Sequence, residues 1–177
     1  MYFEGTKLQM PNQIIIVGSG NAGMSAAIAA LEKGASVLIL EKAEEPLSGG
    51  NTKYTAGAMR FCFDGMDSIK RLLRKPDDER LRRTDFGSYP ASKFAKDLEN
   101  FNAGRPLSEE QKILISQSYD AVCWLSDHGI KFDPIFERQS FLKNGRFVFW
   151  GGLAVATADE GVGLFDQQMK TFNGLGG

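Results

Sequence analysis

A single histidine and two cysteines are all that this 177-residue chain offers of the residues that bind soft metals. Cys62 and Cys123 stand alone, neither in a C-x-x-C pair and neither with companion histidines. That spacing excludes the usual zinc patterns and a disulfide framework, so no metal site is expected and both cysteines read as small buried hydrophobes. A catalytic histidine needs an acid or a metal to orient it, and nothing local in the sequence recommends that role for His128 over a cation in the last turn of a helix. Long apolar runs are missing as well: no stretch approaches the roughly twenty apolar residues of a spanning helix. Residues 1–10 lack the apolar centre of a signal peptide and read as a disordered leader, so a cytoplasmic chain with no membrane span is expected. Charge of either sign is not in excess, with 21 basic residues against 22 acidic ones, which removes any general attraction to nucleic acid or anionic lipid. Apolar residues make up 42% of the chain, enough over this length for one ordinary core but not for two large ones.

What is present is concentrated between Gln13 and Glu41. Ile14-Ile15-Ile16-Val17 is an unbroken β-branched run that suits a central parallel strand buried on both faces. Gly18-Ser19-Gly20-Asn21-Ala22-Gly23 follows, then an alanine-rich helix closed by Gly34, then a second strand, Val37-Leu38-Ile39-Leu40. Gly18 turns the chain sharply, Gly20 removes the side chain that would hold a pyrophosphate off the backbone, and Gly23 lets the helix lie close to the sheet. The helix then begins with free N–H groups facing an anion. Glu41, at the end of the second strand, can accept hydrogen bonds from a ribose. The glycines alone would fit any glycine-rich strand-to-helix turn; strand, helix, closing glycine, second strand and acid in register select dinucleotide binding.

After Lys42 the chain does not run on into another helix. It makes a polar stretch expected to be a flexible loop, Ser48-Gly49-Gly50-Asn51-Thr52, able to present N–H groups and hydroxyls to a pyrophosphate or a flat ring. Thr55-Ala56-Gly57-Ala58-Met59-Arg60-Phe61 continues with small residues and one cation. These blocks, with the later Gly145 to Leu153, resemble the N-terminal part of FAD-dependent oxidoreductases of the fumarate reductase/succinate dehydrogenase flavoprotein family, within it the tricarballylate dehydrogenase group. The resemblance runs from about Gln13 to Leu153. It implies an α/β, Rossmann-like FAD-binding domain, a parallel sheet with helices, plus a β-hairpin. FAD would be held by Gly18, Ser19, Gly20, Asn21, Ala22, Gly23, Glu41, Lys42, Ser48, Gly49, Gly50, Asn51, Thr52, Thr55, Ala56 and Gly57. Some members bind flavin covalently through a histidine in the loop after the ribose acid; this chain has Asn51 there, so non-covalent FAD is expected. The implied reaction oxidises a small tricarboxylic or dicarboxylic acid to an alkene, passing electrons to an acceptor the sequence does not name. Arg60 is the single catalytic candidate, as a cation for a substrate carboxylate.

The remainder reads as scaffold. Met66 to Thr84 mixes bases and acids around Ile69, Leu72, Leu73 and Leu81, which suggests two short helices parted at Pro76 rather than a nucleic-acid patch. Ser92–Phe101 and Ser108–His128 read as helices, the second opened by a capping box and packed through Leu114, Ile115, Tyr119, Val122, Trp124 and Leu125. Phe141 to Trp150 is a hairpin about Asn144-Gly145. Arg138 and Arg146 are cations that either line a β-ribbon or meet a carboxylate. Residues 11–158 are expected to be the N-terminal part of the FAD-binding domain, and 159–177 a divergent or disordered tail, leaving the domain incomplete at its C-terminus. Family members are commonly more than twice this long, so two other readings stand beside the enzyme: a truncated, inactive nucleotide-binding half-domain, and an NAD(P)-dependent reductase, whose ribose Glu41 would also suit.

Overall fold

The computed structural model describes residues 13–177, so the leader expected at 1–10 lies outside the described residues. In chain order the elements are β1 (Gln13–Val17), α1 (Asn21–Glu32), β2 (Ser36–Leu40), β3 (Ala58–Met59), β4 (Phe63–Asp64), α2 (Gly65–Lys70), β5 (Thr84–Asp85), β6 (Ser88–Tyr89) and α3 (Ala91–Phe101). They continue with α4 (Glu109–Asp127), β7 (Phe132–Pro134), α5 (Phe136–Gln139), β8 (Ser140–Lys143), β9 (Arg146–Phe149), β10 (Val155–Thr157) and α6 (Glu160–Gly174). Strands β1 and β2 pair in parallel, Ile14 opposite Val37 and Ile16 opposite Ile39, with α1 as their connection. This is the expected strand, helix and strand, an α/β unit of Rossmann type.

Two cores result. Met24, Ala27 and Ile28 of α1 pack with Phe165 and Phe172 of α6, and Ile16, Val37 and Ile39 of the sheet close that layer. The larger core gathers Phe61, Phe63, Tyr89, Phe94, Phe132 and Phe149 with aliphatic residues of α2 and α4. Antiparallel β10 lies between β3 and β7 in that second layer, and the β8–β9 hairpin joins β5. Asn144 and Gly145 both have positive φ, 52° and 74°, as a type I′ turn needs. On α4 the Ser108 hydroxyl accepts from the Gln111 N–H while the Gln111 side chain accepts from the Ser108 N–H, closing the capping box.

Several expectations fail for physical reasons. Strand β1 is not buried on both faces: Ile15 and Val17 are 58% and 83% exposed, because α1 and α6 cover one face and, among the described residues, nothing covers the other. The polar stretch after Lys42 is not a flexible loop; it winds into 3₁₀ turns at Glu45–Leu47 and Gly50–Tyr54. Leu114 is half exposed, and Ser118 and Cys123 take its place on the buried side of α4. Residues 159–177 are no disordered tail: α6 runs for 15 residues, and Leu164, Gln168 and Phe172, spaced by one turn each, put one face into the core. The polar Gln168 in the middle of that face and the glycines on either side hid it in the sequence.

Candidate dinucleotide site

The three glycines of the first loop are glycine for three different reasons. Gly18 has φ +93°, in the left-handed region. Gly23 has no room, since a Cβ there would overlap the Gly18 carbonyl oxygen and press on Ile16. Gly20 has neither constraint: its φ of −68° and ψ of 175° suit any residue, and a Cβ would meet only Thr52 Oγ1 at 3.5 Å and the Gly49 oxygen at 3.7 Å, ordinary contacts. Nothing inside the described chain requires glycine at 20. A ligand approaching the backbone would.

The two loops predicted for the site are brought together by hydrogen bonds. The Ser19 hydroxyl donates to Glu41 Oε2 at 2.6 Å and accepts from the Gly49 N–H at 3.0 Å. The Ser19 N–H donates to the same carboxylate oxygen at 2.8 Å, and the Asn21 N–H donates to Thr52 Oγ1 at 2.8 Å. The N–H groups of Gly20, Ala22 and Gly23 find no acceptor among the described residues and remain for an anion at the start of α1. Glu41 is held ionised, its pKa lowered to about 2, first by the Ala43 N–H and then by the hydroxyl and N–H of Ser19.

Other candidate residues sit on either side of this junction. A cavity of about 550 Å³ is bordered by Ser19, Glu41, Ser48 and Lys53. A second, of about 510 Å³, is bordered by Asn21, Asn51, Thr52, Thr55, Gly57 and Arg60, with apolar residues of α4 behind them. Two candidates make contacts within the protein itself, and a third lies exposed. Ser48 donates its hydroxyl to the Glu45 carbonyl at 2.8 Å, and Lys42 is exposed beyond the acid. Gly57 is glycine because a Cβ would overlap Thr157 Oγ1, so the close approach there is made by β10 rather than demanded by a ligand. Gly50 opens the second 3₁₀ turn and is exposed, and Ala56 follows that turn and is half-buried.

Arg60 is the one cation on the border of the second cavity. It donates through Nη1 to the Tyr89 hydroxyl at 2.9 Å, Tyr89 donates to Asp97 at 2.7 Å, and Arg60 lies 3.6 Å from Asp97. Burial pushes the Tyr89 phenol up, so it stays a donor. His128 finds an acid on another helix: Glu32 Oε1 is 2.7 Å from Nε2, and the Trp124 carbonyl oxygen is 2.7 Å from Nδ1. Glu32 ends α1, eleven residues past Asn21 and so about 16 Å from the glycine loop. The pair ties two helices together and stands apart from the site. Arg138 meets Glu160 at 3.4 Å. No group of three or more His, Cys, Asp or Glu side chains could hold a metal among the described residues, and no helix there is long and apolar enough to cross a membrane.

A loop that leaves Gly20 bare, three free N–H groups and an ionised acid at the end of β2 fit the diphosphate and ribose of a dinucleotide. Comparison with known proteins agrees. Residues 13–162 match the family model described as FAD binding domain. The chain is 34% identical to a fumarate reductase (cytochrome) of Shewanella frigidimarina over 66% of its own length. It is 54% identical to an NADH:acrylate oxidoreductase of Vibrio harveyi over 68%, and 28% identical to a urocanate reductase of Eggerthella lenta over 92%. It spans only 17%, 16% and 23% of those three proteins. The match over most of its residues, on a loop built for a diphosphate, shows that this chain belongs to the FAD-binding domain family, with FAD as its cofactor.

Proposed function

We propose that the chain is the FAD-binding portion of a flavin-dependent oxidoreductase acting at the carbon–carbon bond beside a carboxylate of a small acid. The observation that carries this reading is Gly20, a glycine that only a ligand requires, in a chain similar to reductases named for fumarate, acrylate and urocanate. Gly18 to Gly23 would hold the diphosphate, Glu41 the ribose in the first cavity, and Asn51 to Gly57 the flavin end at the second. Asn51 has no nucleophile, which supports non-covalent attachment. Bound FAD supplies hydride exchange with a carbon next to the carboxylate. The protein's part is to hold and shield: Ser19 locks the two loops, and apolar residues of α4 wall the second cavity. Only one of the five N–H donors of Arg60 is taken by Tyr89, which leaves it able to meet a substrate carboxylate.

Names of relatives favour reduction of an unsaturated acid; the stretch from Gly145 to Leu153 favours oxidation of a tricarboxylic acid such as tricarballylate. Dye-linked turnover of the FAD-loaded chain separates the two, using fumarate, acrylate or urocanate with a reduced dye, and tricarballylate or succinate with an oxidised one. A second reading, a half-domain that holds FAD without turnover, is favoured by the small share of each relative that the chain spans. Bound flavin with no turnover in either direction would reject the enzymatic reading for this chain and leave the cofactor assignment standing.

A further inference from the structure

The most deeply buried polar side chain outside the glycine loop is Gln168, fully buried on α6 and six residues past the end of the family match. Its Nε2 donates to Asn21 Oδ1 at 2.8 Å and to Ser25 Oγ at 3.2 Å, both in the first turns of α1, while its Oε1 has no partner. A buried amide left half-satisfied works against stability, and a methionine of similar shape would avoid the loss. The two bonds that Nε2 donates offset that loss only in part, because Asn21 and Ser25 are half-buried where water can replace them, so stability gives little net reason for glutamine here. Geometry gives one: Asn21 is gripped from both sides, its backbone N–H by Thr52 and its side chain by Gln168. Those two bonds fix the rotation of the first turn of α1, the turn that carries the free N–H groups of Ala22 and Gly23.

We infer that Gln168 is a positioning residue for the FAD diphosphate, holding Asn21 so that the start of α1 is set before the cofactor arrives, and that α6 is thus part of the cofactor site. This rests on the assignment of the glycine loop to FAD. Gln168 touches α1 and not the ligand, and it acts through Asn21.

The test uses the full chain and its Gln168→Met, Asn21→Ala and double variants, each freed of flavin, melted, and titrated with FAD by quenching of flavin fluorescence. Gln168→Met is expected to keep or raise the melting midpoint of the FAD-free protein while weakening FAD about fivefold, the worth of about one hydrogen bond. In the double variant the loss should equal that of Asn21→Ala alone, because the two residues act in series. A merely structural glutamine would lower midpoint and affinity together, and that result overturns the inference. So does unchanged affinity in Gln168→Met, or a double variant whose losses add. If wild type takes up no FAD, the cofactor assignment falls with it; if wild type binds and Gln168→Met binds equally, only the inference about Gln168 falls.

Discussion

Replacing Gly20 by alanine separates a glycine required by a ligand from one required by the fold. At φ −68° and ψ 175° alanine is unstrained, and its methyl would make only the contacts at 3.5 and 3.7 Å to Thr52 and Gly49. Removing a glycine at such a position narrows the unfolded ensemble and stabilises by about 0.4–1 kcal/mol. For a domain of this size that raises the FAD-free melting midpoint by about 1–4 °C. With a diphosphate against the backbone the same methyl separates it from the N–H groups of Gly20, Ala22 and Gly23. Losing two hydrogen bonds to a charged group, at about 1.5 kcal/mol each, costs about 3 kcal/mol and weakens FAD binding about a hundredfold. Circular dichroism melts of the FAD-free protein and a flavin fluorescence titration read the two effects independently. Gly23→Ala is the contrasting variant, because its methyl overlaps the Gly18 carbonyl and should lower the midpoint with or without FAD. Normal FAD affinity in Gly20→Ala, or a fall in its FAD-free midpoint, would refute the reasoning.

Three further outcomes follow from the same geometry. Acid precipitation should release all flavin into the supernatant, and flavin retained on the pellet would contradict the role given to Asn51. Glu41 titrates near 2 when folded and near 4.5 in its ordinary state, so its contribution is complete above about pH 4.5 and is lost as pH falls toward 2. The midpoint difference between wild type and Glu41→Gln should shrink across that window, and a constant difference would show that the Ser19 and Ala43 contacts do not favour the ionised form. Gly161→Ala places a methyl against the Thr52 carbonyl and should cost about 1–3 kcal/mol, whereas Val162→Ala, half-exposed beside it, should stay within about 0.5 kcal/mol; equal midpoints would show that α6 does not pack on the Gly50–Tyr54 turn as described.

What was legible in the sequence is what short-range chemistry decides. The turn at Gly18, the cap at Gly34, the capping box of α4 and the Asn144-Gly145 hairpin each depend on residues a few positions apart, and each formed where expected. The place of Glu41 was legible for the same reason, since it directly follows β2 and is fixed by where that strand ends. The misses are decisions between distant segments. β1 carries the composition of a two-sided strand, but composition cannot say whether both sides are covered within 177 residues. Glu32 and His128 are 96 positions apart, and Arg60 reaches Asp97 only after β3 and α3 are in place. Gln168 was invisible because a polar residue on a helix is read as solvent-facing until its neighbours are known.

The glycines show how a motif's meaning depends on what surrounds it. Gly57 was expected as a ligand glycine, yet it, like Gly161 and Gly163, would drive a Cβ into this chain's own atoms: Thr157, the Thr52 carbonyl and the Ala158 carbonyl. They allow β10 and the start of α6 to press on the Gly50–Tyr54 turn, and that turn carries Thr52, which accepts from Asn21. The same turn is approached from α1 by Ser19, whose hydroxyl takes the Gly49 N–H. So the tightly packed glycines shape the site through the backbone they position, whereas Gly20, unconstrained by the chain, is where the proposed cofactor contact would be made. Mutational sensitivity should therefore divide along the same line, with alanine in the first group lowering the FAD-free midpoint and FAD affinity together and Gly20→Ala lowering FAD affinity without lowering that midpoint.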